Sequence, residues 1–261
     1  MTSVGVIGAA GRMGRQVMAA VLDAGDLDLT VLVDPAYASI DLPSGVTAYA
    51  SVDEIPRGAA DVLVDFSVAS AAEGHLVEAL ERGFHLVVGT TGISASTMEQ
   101  VANLAERGTA NVVVAANFAL GAVLAMKFAE MAAPYFESVE VIELHHAQKL
   151  DAPSGTSLST TQRIADARGA AGLGDTPDPT ESMVLDGARG ATGPGGVRIH
   201  SVRLPGLVAH EEILFGGPGE GLTIRHDSYD RISFMGGVLL AVRAVTERRG
   251  LTLGLDSLLE G

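Results

Sequence analysis

The chain has 261 residues, enough for one large or two small domains, each with a real core. Acidic residues outnumber basic ones 32 to 17, and a net charge of −15 sets the surface against phosphate backbones and anionic lipid, so no nucleic-acid or membrane partner is expected. There is no cysteine, which excludes disulfides, thiolate nucleophiles and cysteine-based metal sites and fits a reducing, cytoplasmic compartment.

The first eleven residues, MTSVGVIGAAG, carry no basic residue, so no secretory leader is expected. The apolar run VGVIG (4–8) predicts a strand, and the spacing from Arg12 to Ala24 predicts a helix. LTVLVD (29–34) and VLVDFS (62–67) are further strands, and Ala69 to Arg82 is a helix. HLVVGTTG (85–92) is a strand ending in a glycine turn. Ser94 is placed to cap a helix running to Arg107, and VVVAANF (112–118) closes the series. The nearly apolar run Val112–Met126 is only 15 residues long and holds Asn117, so it predicts a strand then a helix rather than a membrane span. Continuous apolar strands alternating with helices predict a parallel sheet covered on both faces, with ligands at the strand carboxyl ends.

The pattern changes after about residue 119. VEVIELHHA (139–147) predicts a longer strand, and residues 169–196, rich in Gly, Ala and Pro, a mobile connection. VRIHSVRL, AHEEILFG and GLTIRHDS, within 197–228, alternate like antiparallel strands joined by short turns. Ile232 to Val245 predicts a helix that returns to the first domain. The fold class expected is α/β: a dinucleotide-binding Rossmann domain (1–119 and 230–261) and an α+β domain (120–229) with an open, mixed, mostly antiparallel sheet. The second domain is expected to bind substrate and to oligomerise, because an uncovered sheet face needs something to cover it.

Gly8-Ala9-Ala10-Gly11-Arg12-Met13-Gly14 lies between the first strand and the first helix. Its glycines let the backbone approach a pyrophosphate, whose charge the helix N-terminus favours. The spacing is GxxGxxG rather than the commoner GxGxxG, and a tight turn without a ligand is the plain alternative. Asp34 ends the second strand, 20 residues after Gly14, where an acid binds adenosine ribose hydroxyls. Gly89-Thr90-Thr91 and Ala115-Ala116-Asn117-Phe118 end two further strands and are candidates for the nicotinamide half of the cofactor, although each alone also reads as an ordinary turn.

The stretch Glu143 to Thr156, ELHHAQKLDAPSGT, is the most informative. His145, His146 and Lys149 fall within five residues, and a Pro-Ser-Gly-Thr turn then opens a helical segment, Ser157–Ala167. Turn amides beside basic side chains make a local anion site in an acidic protein, one that suits a carboxylate substrate and offers titratable proton donors. Fifteen of the 17 basic residues are Arg, so Lys149 is one of two exceptions, and an ammonium can give up a proton where a guanidinium cannot. Adjacent strand residues point to opposite faces, so His145 and His146 do not converge on a metal, and none is expected.

GAAGRMG (8–14), DFS (65–67), GTTG (89–92), NF (117–118), ELHHAQKLDAPSGT (143–156) and IHSVRLPGLVAHEEILFG (199–216), in that order, resemble the motifs of the bacterial dihydrodipicolinate reductases. The resemblance implies hydride transfer from NADH or NADPH to 4-hydroxy-tetrahydrodipicolinate with loss of water, in diaminopimelate and lysine biosynthesis. It implies that His145 and Lys149 are the proton-transferring residues and that His146, Gly155 and Thr156 bind substrate. The implied cofactor-binding residues are Gly8, Ala9, Ala10, Gly11, Arg12, Met13, Asp34, Gly89, Thr90, Thr91 and Ala115 to Phe118. A homotetramer is implied as well. Many members of the family carry Arg after the acid at the second strand, where this chain has Pro35, which speaks against a strict NADPH preference. Another nicotinamide-dependent reductase of a small dicarboxylic imine, or a sensor that binds cofactor without turnover, are the alternatives; intact His145 and Lys149 argue against the sensor.

Overall fold

A computed structural model describes residues 1–259. The chain divides into two compact units: Met1–Phe118 together with the stretch from Arg231 onward, and Ala119–Asp230.

The first unit runs β1 (Thr2–Ile7), α1 (Arg12–Asp23), β2 (Leu27–Val33), β3 (Thr47–Tyr49), β4 (Val62–Asp65), α2 (Ala69–Glu81), β5 (His85–Val88), α3 (Ala95–Arg107) and β6 (Val112–Val114). All strands of its seven-stranded sheet are parallel, in the order β3-β2-β1-β4-β5-β6 and then a late strand described below. The chain winds outward from β1 to β3 and resumes with β4 on the other side of β1. Strand order therefore reverses between β1 and β4, which is where such sheets open a crevice for a ligand. Val, Leu and Ile from both sheet faces fill the core, as the continuous apolar strands require. Ser94 caps α3 by accepting from the Thr97 amide at 3.3 Å.

The second unit runs α4 (Leu120–Ala132), β7 (Ser138–His145), α5 (Gly155–Ala170), β8 (Ala191–Thr192), β9 (Arg198–Arg203), β10 (Ala209–Gly217) and β11 (Glu220–Ser228). Its five-stranded sheet has the order β11-β10-β7-β9-β8. Only β7–β9 is parallel, so the sheet is mixed and mostly antiparallel. The strands over 197–228 are not one meander, however. β7 lies between β9 and β10, because β9 pairs with β7 in parallel instead of folding back on β10. One sheet face packs Val139, Val141, Ile213 and Phe215 against Ala129, Ala133 and Ile164 of the helical layer.

The chain then returns to the first unit. The predicted helix from Ile232 starts as a 3-10 turn, Arg231–Phe234, and continues as α6 (Met235–Ala244) against α1 and β5. β12 (Leu251–Leu253) adds the last parallel strand beside β6, and α7 (Asp256–Leu259) follows. No helix among the described residues is long and apolar enough to cross a membrane.

Candidate active site

The predicted residues fall in two clusters, one in each unit.

In the first unit, Gly8 leaves β1 with φ +78°, a left-handed conformation that a side chain disfavours. A Cβ there would also stand 2.9 Å from the Phe66 carbonyl. At Gly14, in the first turn of α1, a Cβ would strike the Gly8 carbonyl and come within 2.8 Å of Ala9 Cα. The glycines therefore hold the loop tightly under the helix. Gly11 precedes α1 without a side-chain cap, and the first turn contains no acidic residue, so the helix start is open to an anion. The Ala10 amide donates to Asp34 Oδ2 at 3.0 Å and the Ala36 amide to Oδ1 at 2.8 Å, which fixes the carboxylate beside the glycine loop.

Met13, Gly89, Thr90 and Thr91 line a cavity of about 380 Å³ together with Phe66, Ser67, Val68 and Ala69. Beneath it lies Asp65, part of the DFS motif but given no role from the sequence, fully buried at the end of β4. Its Oδ1 accepts from the Ser67 amide (2.8 Å), the Ser67 hydroxyl (2.7 Å) and the Thr90 hydroxyl (2.8 Å), and His75 Nδ1 lies 3.1 Å from Oδ2. Burial pushes this carboxyl up, but the hydrogen bonds from His75, Ser67 and Thr90 outweigh it and hold the group below the usual carboxylate range. Asp65 thus ties together two of the loops that line the cavity. Ala115–Phe118 follow β6, where the Ala115 amide bonds Val88 O at 3.0 Å. The Phe118 ring is buried against Phe66, so any contact of this residue with a ligand falls to its backbone.

In the second unit, β7 alternates so that Val139, Val141, Glu143 and His145 share the helix-facing side. Glu143 is fully buried. It accepts a two-point bond from Arg203 (2.8 and 2.7 Å) and a bond from the Ser154 amide (3.3 Å), and His145 Nδ1 bonds Oε2. Ser154 caps α5 through the Ser157 amide at 3.1 Å, which starts the helix at Gly155 and places Gly155 and Thr156 in its first turn. Lys149 Nζ donates to both carboxylate oxygens of Asp151 at 2.8 Å. His146 stands just past the strand, with a buried Nδ1 that has no hydrogen-bond partner. Burial lowers the pKa of His145 from its usual value, Glu143 pulls it back up, and Lys149 and Arg203 lower it further; the net direction is down. Glu143 is pushed up by burial, but Arg203, Ser201 and His145 bring it below the ordinary range, so it is ionised.

The structure thus brings Glu143, His145, Arg203 and the start of α5 together, and holds Lys149 on the loop between them. Glu143 had a readable signal, since it stands two residues before His145 on a strand. Arg203 lay inside the 199–216 motif but was given no role, because its place beside Glu143 depends on the parallel pairing of β7 with β9.

The chain matches two family profiles, described as dihydrodipicolinate reductase, N-terminus, over residues 2–118, and dihydrodipicolinate reductase, C-terminus, over residues 121–259. It is 51% identical over 258 residues to a 4-hydroxy-tetrahydrodipicolinate reductase of Nocardia farcinica, covering 98% of both chains. It is 48% identical to the protein of that name from Geobacillus kaustophilus, again covering 98% of both. Among solved structures, a dipicolinate-bound dihydrodipicolinate reductase from Paenisporosarcina sp. TG-14 superposes with a TM-score of 0.88 at 39% identity, covering 98% of this chain and 99% of the other. A scyllo-inositol dehydrogenase from Lactobacillus casei, at 12% identity and a TM-score of 0.66, shares the fold alone. The chain belongs to the dihydrodipicolinate reductase family.

Proposed function

We propose that this enzyme reduces 4-hydroxy-tetrahydrodipicolinate to tetrahydrodipicolinate with NADH or NADPH and releases water, in diaminopimelate and lysine biosynthesis. One observation carries the reading of its chemistry: an imidazole anchored by a buried carboxylate stands with a lysine and the Ser154-capped start of α5 on a protein that is otherwise acidic. The Paenisporosarcina relative binds dipicolinate, a ring with two carboxylates. His146, Lys149 and the Gly155–Thr156 turn are the groups here that suit such a ring.

The cofactor fits the first unit because its glycine loop has no room for a Cβ and its helix start has no capping side chain. Gly8 to Met13 would hold the pyrophosphate and Asp34 the adenosine ribose. Gly89 to Thr91 and Ala115 to Phe118 would line the nicotinamide half. When bound, the dihydronicotinamide supplies the hydride.

The protons balance as follows. Loss of water removes one proton from the ring carbon beside the imine and one hydroxide from its neighbour. Neutral His145 takes the first proton at Nε2, since Nδ1 is committed to Glu143. Lys149 protonates the departing hydroxide. After hydride arrives, His145 returns its proton to the carbon that lost it, and Lys149 is reprotonated from solvent. The net change is one hydride and one proton in, one water out. The working form is a cytoplasmic homotetramer. The experiment is steady-state oxidation of NADH and NADPH on freshly generated substrate; cofactor that binds but is not consumed would leave a sensor instead.

A further inference from the structure

Glu143 enters the proton transfer only through its contact with His145 Nδ1; its complete burial and the arginine that grips it have no part in the proton balance. We propose that Glu143 is a positioning residue that fixes His145 as its Nδ1–H tautomer, with Arg203 holding Glu143 in its acceptor form, so that Nε2 is the atom that moves the proton. The inference rests on the reading of His145 as the proton carrier.

An ionised carboxylate offers about four lone-pair positions. Glu143 uses all of them within the protein. Oε1 accepts from Arg203 Nη2 at 2.7 Å and the Ser154 amide at 3.3 Å; Oε2 accepts from Arg203 Nη1 at 2.8 Å and is bonded by His145 Nδ1, and the Ser201 side chain adds a further hydrogen bond. None is left for substrate, so Glu143 acts only through its neighbours. A carboxylate without a proton can only accept, so the imidazole nitrogen facing it must carry the hydrogen. Both terminal nitrogens of Arg203 are engaged in the same way: Nη1 and Nη2 donate to Glu143, Nη1 also to the Val202 carbonyl at 2.8 Å and Nη2 also to the Asp151 carbonyl at 2.7 Å, while the buried Nε has no hydrogen-bond partner. Its charge is therefore spent on Glu143 and on the loop that carries Lys149, not on a substrate carboxylate. The sheet register explains the assembly: His145 lies opposite Arg203 across the parallel β7–β9 pair, and Glu143 lies opposite Ser201 on the same face.

Charged and titratable groups reach this cluster from every side. β9 contributes Arg203, the loop after β7 contributes Lys149 and Asp151, and β10 contributes Glu211, directly opposite Glu143. α5 offers only hydroxyls, with Thr160 donating to Glu211 at 2.7 Å. Burial pushes Glu211 up, which favours its uncharged form beside the ionised Glu143.

The test has a spectroscopic and a kinetic arm. Nitrogen-15 NMR of the histidine-labelled, ligand-free enzyme should show His145 with its hydrogen on Nδ1. In Glu143→Gln, the amide can donate to that nitrogen, and the hydrogen should move to Nε2. kcat should fall ~10²-fold or more, the scale of a lost acid–base group, while the NADH Kd stays within about twofold. Glu143→Asp, which keeps an acceptor, should recover part of the rate and retain the wild-type tautomer. The acid limb of the kcat profile should also move to lower pH in Glu143→Gln. Glu143 favours the protonated imidazole and Lys149 and Arg203 oppose it, so its loss leaves only the groups that depress the pKa. An Nε2–H tautomer in the wild type overturns the inference without any variant, as does Glu143→Gln with wild-type turnover. If His145→Ala keeps its turnover, it is the proton-carrier reading itself that fails.

Discussion

At the scale of single residues, the two nitrogen bases have separable duties. His145 has only 15% of its side chain exposed and is anchored on one nitrogen, whereas Lys149 is paired with Asp151, a largely exposed partner that a substrate carboxylate can displace. His145→Ala and Lys149→Ala should each lower kcat by ~10²-fold or more, and Lys149→Ala should also raise the substrate KM. Cofactor affinity should barely move, because neither residue belongs to the unit that carries the glycine loop. Steady-state kinetics with a parallel NADH titration decides it; a variant with near-wild-type kcat removes that residue from the mechanism. Cofactor choice turns on a second small set of atoms. Asp34 is held by the Ala10 and Ala36 amides; in the proposed cofactor site it would accept from the ribose hydroxyls and would repel a 2′-phosphate. Pro35 brings neither a cation nor an amide hydrogen. Arg12, exposed at the start of α1, is the cation placed to compensate. NADH is therefore expected to serve at least as well as NADPH. Arg12→Ala should lower kcat/KM for NADPH more than for NADH, and added salt should act in the same direction. A kcat/KM that favours NADPH by about tenfold, 1.4 kcal/mol, would mean that another cation reaches the phosphate.

At the scale of elements, glycines separate what the fold needs from what it tolerates. Gly14 and Gly74 both sit inside helices, α1 and α2, where alanine has the better propensity. A Cβ at Gly74 meets nothing within 4 Å, while one at Gly14 meets the Gly8 carbonyl and Ala9. Gly74→Ala should stabilise by about 0.5–1 kcal/mol. Gly14→Ala should destabilise by about 1–3 kcal/mol through overpacking and weaken NADH binding as the loop shifts. Thermal melts with and without NADH read both; equal effects at the two positions would contradict the close helix–loop packing. The same contrast shows which elements could be read from sequence. Long periodic segments such as α1 to α3 and the buried strands β1, β4 and β5 carry their own signal in apolar spacing. β3, β8 and β12 have three residues or fewer and owe their existence to a neighbouring strand, so local pattern could not reveal them. The true start of α5 lay in the Ser154 cap rather than in the later helical run. The misreading of β9 was of another kind. Alternation gives a strand its faces but not its partner, and the partner here is what delivers Arg203 to Glu143. The linear motif thus pointed to His145 and Lys149, whereas Arg203, 60 residues from Glu143 and inside a separate motif, was given no role.

At the scale of the whole molecule, the unresolved demand is the second face of the β7–β11 sheet. Register places Ile142, Leu144, Val202 and Leu214 together on the side away from α4 and α5, where none is fully buried. Glu140, His200, Glu212 and Arg225 surround them. Arg189 bonds Glu140 and Asp178, and Arg198 also bonds Asp178, which fastens to this sheet a segment carrying Met183, Val184 and Leu185. Those three side chains are 56, 96 and 73% exposed, so the segment that looked like a mobile connection is anchored at its base and presents an apolar tip. An apolar band inside a charged rim, with an apolar arm beside it, has the composition of a surface that another copy covers. Light scattering at micromolar concentration should therefore give the mass of a homotetramer. Each chain brings a formal charge of −15, so repulsion between copies opposes assembly. Moderate salt should then favour the tetramer by screening that repulsion, the opposite of its effect on NADPH binding. Val184→Asp should shift the protein to smaller species, since it replaces about 1.5–3 kcal/mol of apolar burial with a buried charge at each contact. A wild-type monomer at that concentration, or a Val184→Asp variant with the full tetrameric mass, would assign the apolar arm to something other than self-assembly.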